Sequence, residues 1–129
     1  MSSTKADISI GFGGATLDLT ILDRTGTYDY SWNEFVVMRG SDGALYVGAS
    51  GGCSCNYFEE NLEGGDLAKV SSWQDAAERA KRWAKGEDYR DKGKEDYYGG
   101  PYMEEEKRGA MNLVERLARD RPAAQTLGE

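Results

Sequence analysis

The stretch that decides the fold is "EFVVMRGSDGALYVGA", residues 34–49. Two β-rich apolar runs flank "GSDG", and Asp42-Gly43 is the dipeptide that a tight hairpin turn prefers, because Gly accepts a positive φ without steric cost. The pair therefore predicts two antiparallel strands. Working outward, "DISIGF" (7–12) alternates, with Ile8, Ile10 and Phe12 on one side. In "ATLDLTIL" (15–22), Ala15, Leu17, Leu19 and Ile21 share a side, and Thr16, Asp18 and Thr20 lie opposite. "GTYDYSW" (26–32) places Tyr28, Tyr30 and Trp32 together as a further strand. Period-two spacing is the mark of half-buried strands, so the first half reads as an antiparallel meander of about four or five strands.

The second half changes period. In "SSWQDAAERAKRWAKG" (71–86), Trp73, Ala76, Ala77, Ala80, Trp83 and Ala84 form one helical stripe. Ser71 or Ser72 is placed to cap its start and Gly86 to end it. Asp75–Arg79 and Glu78–Arg82 are spaced as i, i+4 ion pairs on the exposed side. Residues 86–102, rich in Gly, Asp and Lys, read as a loop, and Tyr89, Tyr97, Tyr98 and Tyr102 are either a contact surface or rings folded back on the core. A second helix opens near Pro101, with Glu104 to Glu106 at the positive end of its dipole, and runs to about Asp120. Its stripe is Met103, Ala110, Leu113, Val114, Leu117 and Ala118. The expected fold class is thus α+β: a meander, then two helices, the first packed on the sheet. Residues 1–121 are one domain and 122–129 a frayed tail.

Composition narrows the function. The chain of 129 residues carries a net charge of −7. Residues 59–66, "EENLEGGD", hold four carboxylates and no cation, whereas positions from 67 onward hold thirteen charges of each sign. The acidity therefore lies in the first half and the loop after it. Acidic proteins repel phosphate backbones, so direct nucleic-acid binding is disfavoured and a basic protein surface is the better match. With no histidine in the chain, Ser-His-Asp and Cys-His chemistry are excluded. No apolar run is long enough to span a membrane, and "MSSTKAD" lacks the apolar stretch of a signal peptide. The expected location is the cytoplasm, with no membrane partner.

Cys53 and Cys55, the two cysteines of the chain, lie in "GASGGCSCNYFEEN" (48–61). A structural zinc site needs four ligands, so a metal role requires a homodimer that pools both pairs. A Cys-x-Cys disulfide closes a small strained ring and is redox-active rather than structural. The favoured reading is a sharp glycine turn with reduced, metal-free sulfurs filling space beneath it. Glu59, Glu60, Glu63 and Asp66 lack the alternating spacing of a calcium loop. No cofactor and no catalytic residue is expected.

Two resemblances follow from these residues. The run from Ser31 to Glu60, with Gly52, Cys53, Ser54, Cys55, Phe58, Glu59 and Glu60 at its end, resembles a strand–hairpin–Gly-Cys-Ser-Cys motif of small actinobacteriophage proteins. It covers residues 30 to about 85 with Trp73 opening the following helix; those proteins more commonly carry proline where this chain has Asn56-Tyr57. The resemblance implies a phage accessory protein. Together with small size, acidity and the lack of catalytic groups it gives the leading expectation, a non-enzymatic protein of the host cytoplasm that binds and modulates or inhibits a host or phage complex, with a virion or assembly component as the alternative and a metal- or redox-linked enzyme a distant third. "GFGGATLDLTILD" (11–23) resembles the phosphate hairpin of the Hsp70 and actin ATPases at Gly13, Gly14, Thr16 and Asp18. That fold needs several such elements over a far longer chain, and a glycine hairpin explains the same letters. The expected working surface is the acidic loop with exposed aromatics beside it: Tyr57, Phe58, Glu59, Glu60 and Glu63.

Overall fold

The computed structural model describes residues 7–28, 31–53, 58–90 and 104–120, without the side chains of residues 27, 28, 31, 32, 52, 53, 60 and 120. Five strands, β1 (Ile8–Phe12), β2 (Ala15–Tyr28), β3 (Ser31–Gly40), β4 (Leu45–Cys53) and β5 (Leu67–Val70), lie in the order β1-β2-β3-β4-β5. Every neighbouring pair is antiparallel. Three helices complete the architecture: α1 (Phe58–Asn61), α2 (Trp73–Ala84) and α3 (Glu104–Asp120). A 3₁₀ turn, Gly64–Asp66, leads into β5. The expected α+β meander with two long helices at the C-terminal side is the observed fold.

The β3–β4 hairpin turns where Asp42-Gly43 places it. Gly43 has φ +86°, and Gly40 donates to the Ala44 carbonyl at 2.9 Å. The Asp42 carboxylate accepts the Ala44 N–H (3.0 Å) and the Tyr46 hydroxyl (2.6 Å). That hydroxyl holds Asp42 below the usual carboxylate range, while burial and the same bond push the Tyr46 phenol up to about 12. The β1–β2 turn uses Gly13 (φ +63°) and Gly14 (φ +85°) in succession, the two positive values that a type I′ hairpin requires.

The middle of β3 and the first half of β4 are buried on both faces. Phe35, Val37, Leu45 and Val47 join a core with α2 and α3. Val36, Met38 and Tyr46 point to the other side, into a core with Ile8, Ile10, Leu17, Leu19 and Leu67. This second core draws residues from both edge strands, β1 and β5, so the sheet curls around it. The curl brings Gly64 against the Gly11 carbonyl, where an added Cβ would collide.

A bulge between Ile21 and Asp23 shifts β2 by one residue against β3. Because a strand's side chains alternate, the extra residue exchanges the two faces. Leu17, Leu19 and Ile21 point into the curl, but beyond the bulge Asp23 and Thr25 face the helices and Arg24 faces inward. α3 uses this: Arg116 meets the Asp23 carboxylate through two bonds of 3.1 and 3.0 Å, and Gly109 lies against Thr25, where a Cβ would stand 2.6 Å from its hydroxyl.

α2 starts at Ser72, whose hydroxyl accepts the Asp75 N–H at 3.0 Å, and is ended by Gly86 at φ +79°. Its stripe is the expected one, and Trp83 packs on Phe35 with centroids 5.7 Å apart. Burial works against the Asp75 carboxylate, yet the Ser71 N–H and Arg79 outweigh it and hold Asp75 below its usual range.

Several expectations need correcting. "GTYDYSW" is not one strand: β2 ends at Tyr28, and Trp32 stands opposite it in β3. The fifth strand is instead "LAKV" (67–70). Arg79 is not on an exposed side but 7% exposed, and Glu78 meets Lys81 (3.4 Å) rather than Arg82. In α3, Ala110, Leu113 and Leu117 of the expected stripe are fully buried and Ala118 is exposed, while Glu106, in the first turn, is buried at 2%. Pro101, Met103 and the tail 122–129 lie outside the described residues.

Trp73 and Trp83 are 3% and 1% exposed. Replacing either by alanine is expected to cost about 3–5 kcal/mol, measured by denaturant unfolding. Unchanged midpoints for both variants would contradict the packing of α2 on the sheet.

Candidate docking surface: the acidic ridge

The segment between β4 and β5 carries the carboxylates singled out in the sequence. It is not a loose loop. Phe58 and Leu62, 1% and 6% exposed, are seated in the curl of the sheet. They are four positions apart, and the Leu62 N–H donates to the Phe58 carbonyl at 3.1 Å, so the turn of α1 brings both to the same side. Gly48 on β4 makes room: a Cβ there would stand 3.0 Å from Leu62 and 3.3 Å from Met38. Asn61 donates to the Gly51 carbonyl at 3.0 Å, tying α1 to the strand it follows.

Arg24, turned inward by the β2 bulge, fastens the other side of α1. Its guanidinium donates to the buried Glu34 carboxylate at 2.6 Å and to Glu59 at 3.4 Å, and lies 5.8 Å from the centre of the Phe58 ring. Partial desolvation works against the Arg24 cation, but the two carboxylates outweigh it and raise its pKa. Glu34, 7% exposed, is tolerated on β3 because this partner neutralises it. Opposite it, Gly26 has φ +151° and no room for a side chain, since a Cβ would meet Glu34 at 2.7 Å.

Downstream, Glu63 and Asp66 tie each other into the 3₁₀ turn. The Glu63 N–H donates to the Asp66 carboxylate and the Asp66 N–H to the Glu63 carbonyl, each at 2.9 Å. Tyr89 then holds the turn from outside the segment: its hydroxyl donates to the Asp66 carbonyl at 2.6 Å and accepts the Ala49 N–H at 2.9 Å.

The residues named from sequence fall as follows. Glu59 and Glu63 are exposed on the ridge, and Glu59 shares Arg24. The Glu60 backbone is in α1, its side chain outside the described set. Tyr57 and Cys55 lie outside the described residues, as do Tyr97, Tyr98 and Tyr102; Cys53 ends β4, with its side chain likewise outside. Phe58 corrects the expectation of an exposed aromatic: its ring is core, because the curl of the sheet leaves a cavity that only a large apolar group at that point fills. What poses the acidic segment among the described residues is therefore this anchor with Leu62, Asn61 and Tyr89. Tyr89 resolves its own alternative: the ring is 1% exposed and stands edge-on to Phe35 at 5.5 Å, so it is core. Arg24 and Glu34, and the hold of Tyr89 on the acidic turn, were not foreseen, since the partners lie 10 to 40 positions away and leave no local pattern.

Among the described residues no group of three or more His, Cys, Asp or Glu side chains is placed to hold a metal ion. At the glycine hairpin, Gly11 to Thr16 line an open recess of about 400 Å³, and Asp18 accepts the Ser9 hydroxyl at 2.6 Å. No helix among the described residues is long and apolar enough to cross a membrane. Comparison with protein-family models, curated proteins and solved structures finds no match to the chain.

Phe58→Ala is expected to lower stability by about 3–5 kcal/mol and to unseat α1. Urea unfolding with amide shifts of residues 58–62 reads both effects, and unchanged values would remove the anchor from this account.

Proposed function

We propose that the protein is a non-enzymatic binding protein that uses the acidic ridge to dock on the basic surface of a host or phage protein complex and so modulates or inhibits it. The observation that carries this reading is that Glu59 and Glu63 are exposed on a segment fixed at both ends, by Phe58 and Leu62 below and by Tyr89 behind. A surface already ordered before contact loses little conformational freedom on binding. Clustered carboxylates speed the approach of a cationic partner and set its orientation. The charge distribution supports the same direction: the excess of acid lies in the first half and this ridge, while the helical half is balanced. The phage-protein resemblance supplies the setting, a cytoplasm with a host complex to act on.

The test is charge reversal. E59K/E60K/E63K is expected to reduce capture of a partner from an actinobacterial lysate at least tenfold, and capture by the wild type is expected to fall as salt rises. The melting temperature should change little, because the Arg24–Glu59 pair is partly exposed and such pairs contribute only about 0–1 kcal/mol. Equal capture by the variant would move the working surface elsewhere. Co-purification with phage particles would make the chain an assembly component instead.

A further inference from the structure

The β4–β5 ladder stops one rung early. Its pairs run Leu45↔Val70, Tyr46↔Lys69, Val47↔Ala68 and Gly48↔Leu67. Ala44 bonds to Gly40 of β3, so by alternation the backbone groups of Leu45, Val47 and Ala49 face β5, and the next hydrogen-bonded pair in the same register is Ala49 with Asp66. That rung is not made directly. The Tyr89 hydroxyl stands in it, accepting the Ala49 N–H at 2.9 Å and donating to the Asp66 carbonyl at 2.6 Å, with the Ala49 carbonyl 3.5 Å away. The neighbouring residue grips the same turn: Arg90 donates to the Gly65 carbonyl at 3.0 Å. Tyr89 is in turn held from α2, where Arg79 donates to the Tyr89 carbonyl (2.9 Å) and to Asp75 (3.2 Å).

We infer that Tyr89 is a latch inserted between β4 and β5, and that the acidic turn has a second conformation in which the latch is out and the ladder closes by the Ala49–Asp66 rung. At the rung itself the two conformations are close in hydrogen-bond content, and the exposed Glu63 groups that Asp66 releases pass to water. With the latch in, one hydroxyl satisfies the Ala49 N–H and the Asp66 carbonyl. With it out, these two groups satisfy each other and the hydroxyl takes water. The consequence falls on Glu63. Its N–H and carbonyl are bonded to Asp66, so drawing Asp66 into β5 dismantles the 3₁₀ turn and moves Glu63 with it. Residues 89 and 90 thereby set the pose of the ridge, and displacement of that strap is transmitted to the acidic surface. The latch itself does not depend on the docking role of the ridge; only this consequence rests on that reading.

Tyr89→Phe removes the hydroxyl and keeps the ring against Phe35. In the variant, NMR is expected to show a through-hydrogen-bond coupling between the Ala49 nitrogen and the Asp66 carbonyl carbon that the wild type lacks. Its absence from a folded Y89F would overturn the latch. R90A leaves the hydroxyl in place but frees one side of the strap, and carries the test should Y89F not fold. Relaxation dispersion at the Ala49 and Asp66 amides is expected to reveal exchange with a second state, and flat profiles would overturn the inference. Both readouts concern backbone bonds, so a ridge that binds nothing leaves them unaffected.

Discussion

The constraint on which the structure depends is that the middle of β3, Phe35 to Met38, has no solvent face. Phe35, Val36, Val37 and Met38 are all fully buried, and alternation sends two of them to each side of the sheet. Neither side can then be left to water, since each of these side chains contributes roughly 1.5–3 kcal/mol by leaving it. On one side, α2 and α3 supply the cover. On the other, neither long helix among the described residues contributes to the core, and the sheet covers itself by curling, with Phe58 and Leu62 of the β4–β5 connection filling what the curl leaves open. The close approach of Gly64 to Gly11 and the missing side chain at Gly48, whose place Leu62 takes, are the steric conditions of that closure.

The same constraint explains why the surface proposed for binding is ordered. A carboxylate-rich connection between two strands would ordinarily be free to move, and its charges would repel one another. Here its apolar residues are needed in the core, so its charged ones are carried on a fixed base. The β2 bulge contributes by turning Arg24 inward, where it neutralises Glu34 and draws Glu59 toward the sheet. Tyr89 adds the link to the helices. Its ring belongs to the core shared with α2, and its hydroxyl belongs to the edge of β4, so the helical layer and the acidic turn meet at one side chain.

Much of this was legible in the sequence, and the parts that were not have a common cause. Ile8, Ile10, Leu17 and Leu19 alternate because their strands have one apolar face, and Trp73 to Ala84 repeat at the helical period because their helix has one apolar stripe. Local periodicity records such facts. It misreads "GTYDYSW", where aromatic β-formers sit at a hairpin between two strands rather than inside one. It also passes over "LAKV", which at four residues is too short to show a period. Arg79 looked like a surface cation because its spacing to Asp75 is helical, yet its guanidinium is buried by a carbonyl ten residues on. Phe58 looked exposed because its neighbours are acidic; its burial is imposed by strands far away in the chain. The acidic residues themselves were found from charge alone, but what fixes them, Arg24, Gly48 and Tyr89, is tertiary.

The central claim is that a doubly covered β3 is the most stable part of the molecule and that both covers depend on it. Native-state amide hydrogen exchange tests this most directly. The expected result is that the protected amides of Phe35 to Met38 and their β4 partners exchange most slowly, at a rate set by global unfolding, with α2, α3 and the ridge opening at lower free energy. If instead the slowest amides were confined to the helices while β3 exchanged through local opening, the two-sided core would not be what holds this fold together.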